Sequence, residues 1–250
     1  MTNMFHPKTI VAASFVLALS ISTTAAFAAE KPKKVAAPAQ PAAPSLVTTP
    51  ANSPLADFTS ETALKQRGGP GNPVAGAEKA ALCQGCHGET GNSTEPLIPK
   101  LAGQYGNYIS KQVRNYQAGI RTHQIMGAVA ATVTEDELSD IAAFFAYQPM
   151  MNGGGVGLNN QLGKELFLNG DMSRMLVACA QCHGVTGKGK TPDNAAFPVL
   201  GGQHKDYLLG QLINFRLGDR SNSPGGVMNI MVQRLNDAEL EAIAEYVSGL

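Results

Sequence analysis

Two short stretches carry most of the chemistry in this chain. "CQGCHG" (residues 83–88) and "CAQCHG" (179–184) each set two cysteines and a histidine within five positions. Such a cluster suits three uses: half of a zinc site, a redox dithiol, or the covalent anchor of a c-type haem. In the last case a Cys-x-x-Cys turn at a helix end turns both sulfurs to one side, where they add to the haem vinyl groups. The following histidine then points at the iron. That assigns one haem to Cys83, Cys86 and His87, and a second to Cys179, Cys182 and His183. A structural zinc would have to draw both pairs into one tetrahedral cage, although they stand 96 positions apart. A thioredoxin-like dithiol needs a βαβ setting, and the surrounding sequence is helical.

A low-spin haem needs a second axial ligand, usually His or Met. His123 and His204 occupy non-equivalent places and read as lone surface histidines. Met126 and Met228, by contrast, each lie eight residues before a helix-capping residue, Thr134 and Asn236. Met150, Met151, Met172, Met175 and Met231 have no methionine counterpart, so Met126 and Met228 are the expected iron ligands, with Met231 a rival at the second iron. A methionine in an apolar segment is more often core filler; the equivalence of these two is what sets them apart. Pro99 and Pro198 open "PKLAGQ" and "PVLGGQ". A proline carbonyl can only accept, which suits it to fix the Nδ1 proton of a ligating histidine, though a plain turn proline is the bland alternative. Arg121 and Arg220 are also equivalent, either as partners of haem propionates or as solvated arginines.

The elements that must position these residues come as a duplication. "CQGCHGETGNS" returns 96 positions later, "IPKLAGQYGNYISKQVRNYQAG" 99 later, and "MGAVAATVTEDELSDIAAFFA" 102 later, always in the same order. The drift implies insertions of three residues between blocks. In each half, apolar residues recur at three- and four-residue spacing and stop at Gly119 and Gly218. The last helix of each half opens on a capping box, Thr134 with Glu137 and Asn236 with Glu239. Nothing predicts a sheet, so the fold class is all-α.

Outside the repeats, "IVAASFVLALSIS" followed by small residues at Ala26 and Ala28 predicts a signal peptide over 1–28, cleaved after Ala28, with an uncleaved membrane anchor as the bland alternative. Export would place four cysteines in an oxidising compartment, where two disulfides are the usual outcome; the histidine after each pair argues against that. Residues 29–70 are rich in Pro and Ala and read as a disordered linker, with a flexible-chain span of about 35 Å. The Gly- and Asn-rich stretch "MMNGGGVGLNNQ" divides domain 1 (71–152) from domain 2 (153–250). The whole chain has 250 residues with 19 basic and 19 acidic side chains; with no basic run, a nucleic-acid surface is excluded.

The paired Cys-x-x-Cys-His motifs, "PKLAGQ" and "PVLGGQH", the late methionine and the capped last helix together resemble the dihaem cytochrome c4 group. The resemblance covers about residues 72–250, and "GDMSRMLVACAQCH" is similar to that family's lead-in to its second haem. It implies two tandem class I cytochrome c domains related by a pseudo-twofold axis, with two haem c groups facing each other. It further implies a periplasmic carrier of single electrons between membrane respiratory complexes, such as a quinol-oxidising donor and a terminal oxidase. Two alternatives stand: a haem subunit of a periplasmic dehydrogenase, and a dihaem enzyme such as a peroxidase. An enzyme needs an exchangeable iron position, whereas here each half supplies its own methionine. The 29–70 extension departs from the family pattern.

Overall fold

The computed structural model describes residues 61–190 and 196–250; the predicted signal peptide and the linker up to residue 60 lie outside them. The first half comprises α2 (Pro73–Lys79), α3 (Ala81–His87), α4 (Gly106–Gln117), α5 (Gln124–Ala130) and α6 (Glu135–Tyr147). The second comprises α7 (Gln161–Asn169), α8 (Ala180–His183), α9 (Lys205–Leu217), α10 (Val227–Val232) and α11 (Asp237–Gly249). There is no strand among the described residues, only two isolated bridges, Arg121 with Arg220 and Asp171 with Leu176.

Each half is built around its last helix. α6 packs on α2 and α4, and α11 packs on α7 and α9. Both last helices start on the predicted capping box, in which the cap side chain and the glutamate three residues on satisfy each other's backbone N–H groups. The close approach of α2 to α6 depends on Gly76, where any Cβ would run into the Asp140 carbonyl. Gly163 of α7 meets the Ala242 carbonyl of α11 in the same way. Ile109, Ile141 and Phe145 form the first core; Phe167, Leu176, Leu240 and Ile243 anchor a larger second one. α9 stops where Gly218 takes a left-handed φ of 87°, a conformation that costs other residues strain.

Two expectations change. Residues 61–70 do not belong to a tether: α1 (Glu61–Gly68) packs on α4 and α6. Arg67 of α1 is buried and donates to the Gln148 carbonyl at 3.1 Å. The low apolar content of "ETALKQRG" hid this helix, because its attachment rests on that arginine and on Gly68 against the Tyr147 ring. The second change concerns the insertions. Gly163 follows Gly76 by 87 positions whereas Cys179 follows Cys83 by 96, so nine further residues precede the second cysteine motif. They form a short loop closed by the Asp171–Leu176 bridge, with a 3₁₀ turn at Met172–Arg174 and Met175 left-handed at φ 54°.

The halves are joined by contacts that repeat in both directions, as an approximate twofold axis demands. Gln104 donates through Nε2 to the Val199 carbonyl (2.9 Å) and accepts from the Val199 N–H (3.0 Å). Its counterpart Gln203 makes the same two bonds to Lys100, both at 2.9 Å. Tyr105 Oη donates to the Lys188 carbonyl at 2.6 Å, passing over Gly189, where a Cβ would collide with it. At the corresponding place His204 Nε2 lies 2.9 Å from the Ser93 carbonyl. Lys188 Nζ fastens the connecting segment, donating to the main-chain oxygens of Met151 (2.6 Å) and Gly201 (2.7 Å).

Candidate cofactor sites

The cysteine motif of the first half lies in α3, which ends at Gly88 with φ 85°. This turn delivers His87 to a buried position and leaves Cys83 and Cys86 at the rim. In the second half Cys179 caps the single turn of α8, and His183 is again buried. None of the four cysteines is in a disulfide. Burial pushes the Cys83 thiol up and the Cys179 thiol up to about 11. Such thiols lack the low-pKa thiolate of a redox dithiol. Among the described residues no three His, Cys, Asp or Glu side chains are grouped to hold a metal ion, so the zinc cage has no ligands to complete it.

Both histidines are oriented alike. His87 Nδ1 lies 2.8 Å from the Pro99 oxygen, and His183 Nδ1 lies 3.0 Å from the Pro198 oxygen. A carbonyl has no proton to give, so each Nδ1 carries the hydrogen and each Nε2 is left with a free lone pair. Burial holds both imidazoles below their ordinary pKa, against the opposing pull of the proline carbonyls. They are therefore neutral and able to act as ligands at pH 7.

A cavity of about 460 Å³ joins the two halves. Cys83, Cys86, His87 and Met126 line it from one side, His183 and Met228 from the other. A second, almost wholly apolar cavity of about 190 Å³ lies against Cys179, Cys182, His183, Met228 and Met231. The methionine segments are both tied down by a side chain of the preceding loop. The Met126 N–H donates to His123 Nδ1 and the Met228 N–H to Ser223 Oγ, each at 3.2 Å. Thus His123 is the N-cap of α5 rather than a bystander, and His204 bridges the halves rather than standing alone on the surface.

Arg121 and Arg220 are buried and line the larger cavity. Arg121 donates to Gln112 (2.9 Å), Tyr207 (3.1 Å) and Gln211 (2.7 Å). Arg220 donates to Asn222 (2.9 Å), Gln211 (2.8 Å) and Tyr108 (3.0 Å). Each guanidinium also stacks on a ring of its own half, Tyr116 and Phe215. None of these partners is a carboxylate, and among the described residues neither arginine has a carboxylate within ion-pair distance. Burial alone would raise the Tyr108 phenol, yet Arg220 and Arg121 pull it below its ordinary value. Two uncompensated cations facing one cavity make a place for anionic groups of a bound molecule.

The family model described as cytochrome c matches residues 74–148 and 161–250. The chain belongs to the cytochrome c family. Cytochrome c4 of Pseudomonas aeruginosa is 39% identical over 181 residues, 72% of this chain and 89% of that protein. The thiosulfate dehydrogenase electron acceptor of Stutzerimonas stutzeri is 33% identical over 180 residues, 70% of this chain and 82% of that protein. The crystal structure of reduced recombinant cytochrome c4 from Pseudomonas stutzeri superposes with a TM-score of 0.68 at 36% identity, covering 72% of this chain and 99% of that one. This cytochrome is thus a dihaem electron-transfer protein of the c4 group, with one haem c in each half.

The residues present fit that group. Free cysteines, neutral imidazoles and methionine thioethers line the two cavities together, and the buried cations suit the acidic side chains of a haem. Sequence reasoning missed Gln104, Gln203, Tyr108 and Tyr207. Their signal was the repeat itself, for each pair recurs at the same 99-residue offset as the prolines.

Proposed function

We propose that each haem would be attached through the cysteines of its own half and its iron held by one histidine and one methionine, His87 with Met126 and His183 with Met228. Haem c, when bound, supplies the reversible one-electron couple of its iron. The chain supplies everything that poises it. Pro99 and Pro198 fix the imidazole tautomer and orientation. Thioether sulfur favours the ferrous state and sets both potentials positive. Arg121 and Arg220 receive the haem propionates, and the apolar walls keep water out.

The observation that carries this reading is the matched construction of the two halves: in both, a neutral histidine on a proline carbonyl lines the same cavity as a methionine whose N–H is pinned by the loop before it. A catalytic haem protein would need one half to depart from this pattern and leave an iron position exchangeable. The protein works as an exported, periplasmic carrier that takes single electrons from a donor such as a quinol-oxidising complex and passes them to an acceptor such as a terminal oxidase. Docking of this type is brief and small in area. No helix of the described residues is long and apolar enough to cross a membrane.

Denaturation followed by acidic acetone extraction tests the attachment: two haems per chain should stay on the polypeptide. Release of haem into the solvent, or binding of carbon monoxide stoichiometrically and fast at either ferrous iron of the native protein, would overturn the reading.

A second reading has support in the similarity to the thiosulfate dehydrogenase electron acceptor of Stutzerimonas stutzeri. In that version the chain takes electrons directly from a periplasmic dehydrogenase. Purification from the native membrane and soluble fractions separates the two, since a dehydrogenase retained in fixed ratio through several columns favours the second.

A further inference from the structure

Gln104 and Gln203 are more than fasteners of the interface, because of which amide each one grips. The Pro99 carbonyl that accepts from His87 and the Lys100 N–H that donates to Gln203 belong to one peptide unit. The same holds for the Pro198 carbonyl and the Val199 N–H. A continuous chain of hydrogen bonds therefore runs from His87 Nδ1–H to the Pro99 carbonyl (2.8 Å), through that amide, and from the Lys100 N–H to Gln203 Oε1 (2.9 Å). Its twin runs from His183 through the Pro198–Val199 amide to Gln104 Oε1, with lengths of 3.0 Å and 3.0 Å. Each chain begins on a histidine of one half and ends on a glutamine of the other.

The orientation of both glutamine amides is forced. Gln203 Oε1 faces two backbone N–H groups, those of Lys100 and His204, and its Nε2 faces the Lys100 carbonyl. Gln104 Oε1 likewise faces the N–H groups of Val199 and Tyr105, and its Nε2 the Val199 carbonyl. Both side chains are 4% exposed, so water does not compete for these groups. An amide whose N–H is engaged carries a more negative oxygen, and hydrogen-bonded chains strengthen one another in a low-dielectric interior. A stronger acceptor at Nδ1 makes the imidazole a more basic ligand.

We propose that Gln203 is a positioning residue for the haem of the first half and Gln104 for the haem of the second, each tuning the histidine across the interface. This rests on the axial role of His87 and His183 given above. It makes the reduction potential of each centre depend on a side chain of the opposite domain. The glutamine lowers that potential, because a more basic imidazole stabilises the ferric state. It also means that any change in how the halves meet is felt at both irons.

The test uses the haem-loaded full chain. Met126→His first marks the haem of the first half in the low-spin electron paramagnetic resonance spectrum. If both wild-type signals persist in that variant, the axial assignment fails, independently of the present proposal. With the marker established, Gln203→Leu, made with Met126 intact, should raise the potential of the first-half haem, shift its g values and leave the second-half haem in place. Gln104→Leu should do the reverse. Gln203→Glu keeps an oxygen on the Lys100 N–H, adds negative charge and should lower the first-half potential, and it carries the test if the leucine variant does not fold. A shift confined to the haem of the substituted half, an equal shift at both, the same sign in the leucine and glutamate variants, or no shift would each overturn the proposal.

Discussion

Arg121 and Arg220 meet across the two halves as an isolated antiparallel bridge, and Gln112 Oε1 accepts from both guanidinium groups, at 2.9 and 3.3 Å. Two buried like charges this close repel unless anions lie against them. The sign of a stability change therefore reports what fills the cavity. If haem propionates are paired with the arginines, Arg121→Met strands a buried carboxylate and should destabilise the loaded protein by about 3–5 kcal/mol. If the cations stood alone, the same change would relieve repulsion and stabilise it. Denaturant unfolding of the loaded wild type and variant decides between the two.

The second half has an acid-sensitive clamp in its added loop. Arg174 of the nine-residue loop donates to Asp171 at 2.7 Å and holds Glu239 with two bonds, at 3.1 and 2.8 Å. Those bonds, joined by the capping N–H of Asn236, keep the Glu239 carboxyl below its ordinary pKa despite its burial. A group whose folded pKa is depressed gives stability that is complete above its unfolded value, about 4.3, and disappears as pH falls through the folded one. Glu239→Gln should therefore be less stable than wild type at pH 7, with the two curves converging below about pH 4. A gap that stays constant between pH 7 and pH 3 would show that the charge is not what matters.

The repeat made much of this legible. Helical class, two domains, both capping boxes and the equivalence of Met126 with Met228 could all be read because each signal is local and occurs twice. What a repeat cannot say is whether a recurrent residue contacts its own half or the other. Gln104 and Gln203 recur in "AGQ" and "GGQ", yet their partners lie 95 and 103 positions away. The interface pairs also break symmetry where the sequence does: Tyr105 reaches over Gly189, whereas the smaller His204 meets Ser93. α1 stayed hidden for a different reason, since a helix pinned by one arginine leaves no apolar period.

Gly76 and Gly163 offer a direct test of the paired helix crossings. Each sits where a methyl group would strike a carbonyl of the facing helix, and backbone cannot yield as a flexible side chain can. Gly76→Ala should push α2 off α6, and Gly163→Ala should push α7 off α11. Overpacking of this kind costs roughly 1–3 kcal/mol, sometimes more. With Met126→His as the spectral marker of the first-half haem, thermal unfolding should show the loss first in the substituted half. Equal loss in both would mean that the halves unfold as one unit.

The most discriminating comparison concerns Met228 and Met231, which compete for the second iron. Both are partly buried against the core of the second half. Met228 lines the cavity between the halves as well as the smaller one, together with His183, whereas Met231 lines only the smaller. The N–H of Met228 is held by Ser223 Oγ, as that of Met126 is held by His123, while Met231 lies further along α10. Met228 also keeps the eight-residue spacing to the cap at Asn236 that Met126 keeps to Thr134. Met228→Ala should therefore open the second iron, lower its potential and abolish its share of the weak red absorption band from sulfur to ferric iron. Met231→Ala removes packing instead; a fully buried methionine would cost about 2–5 kcal/mol, and a partly exposed one less. Its band and potential should stay near the wild-type values. Loss of the band in Met231→Ala with retention in Met228→Ala would reverse the assignment and move the ligand by three residues along α10.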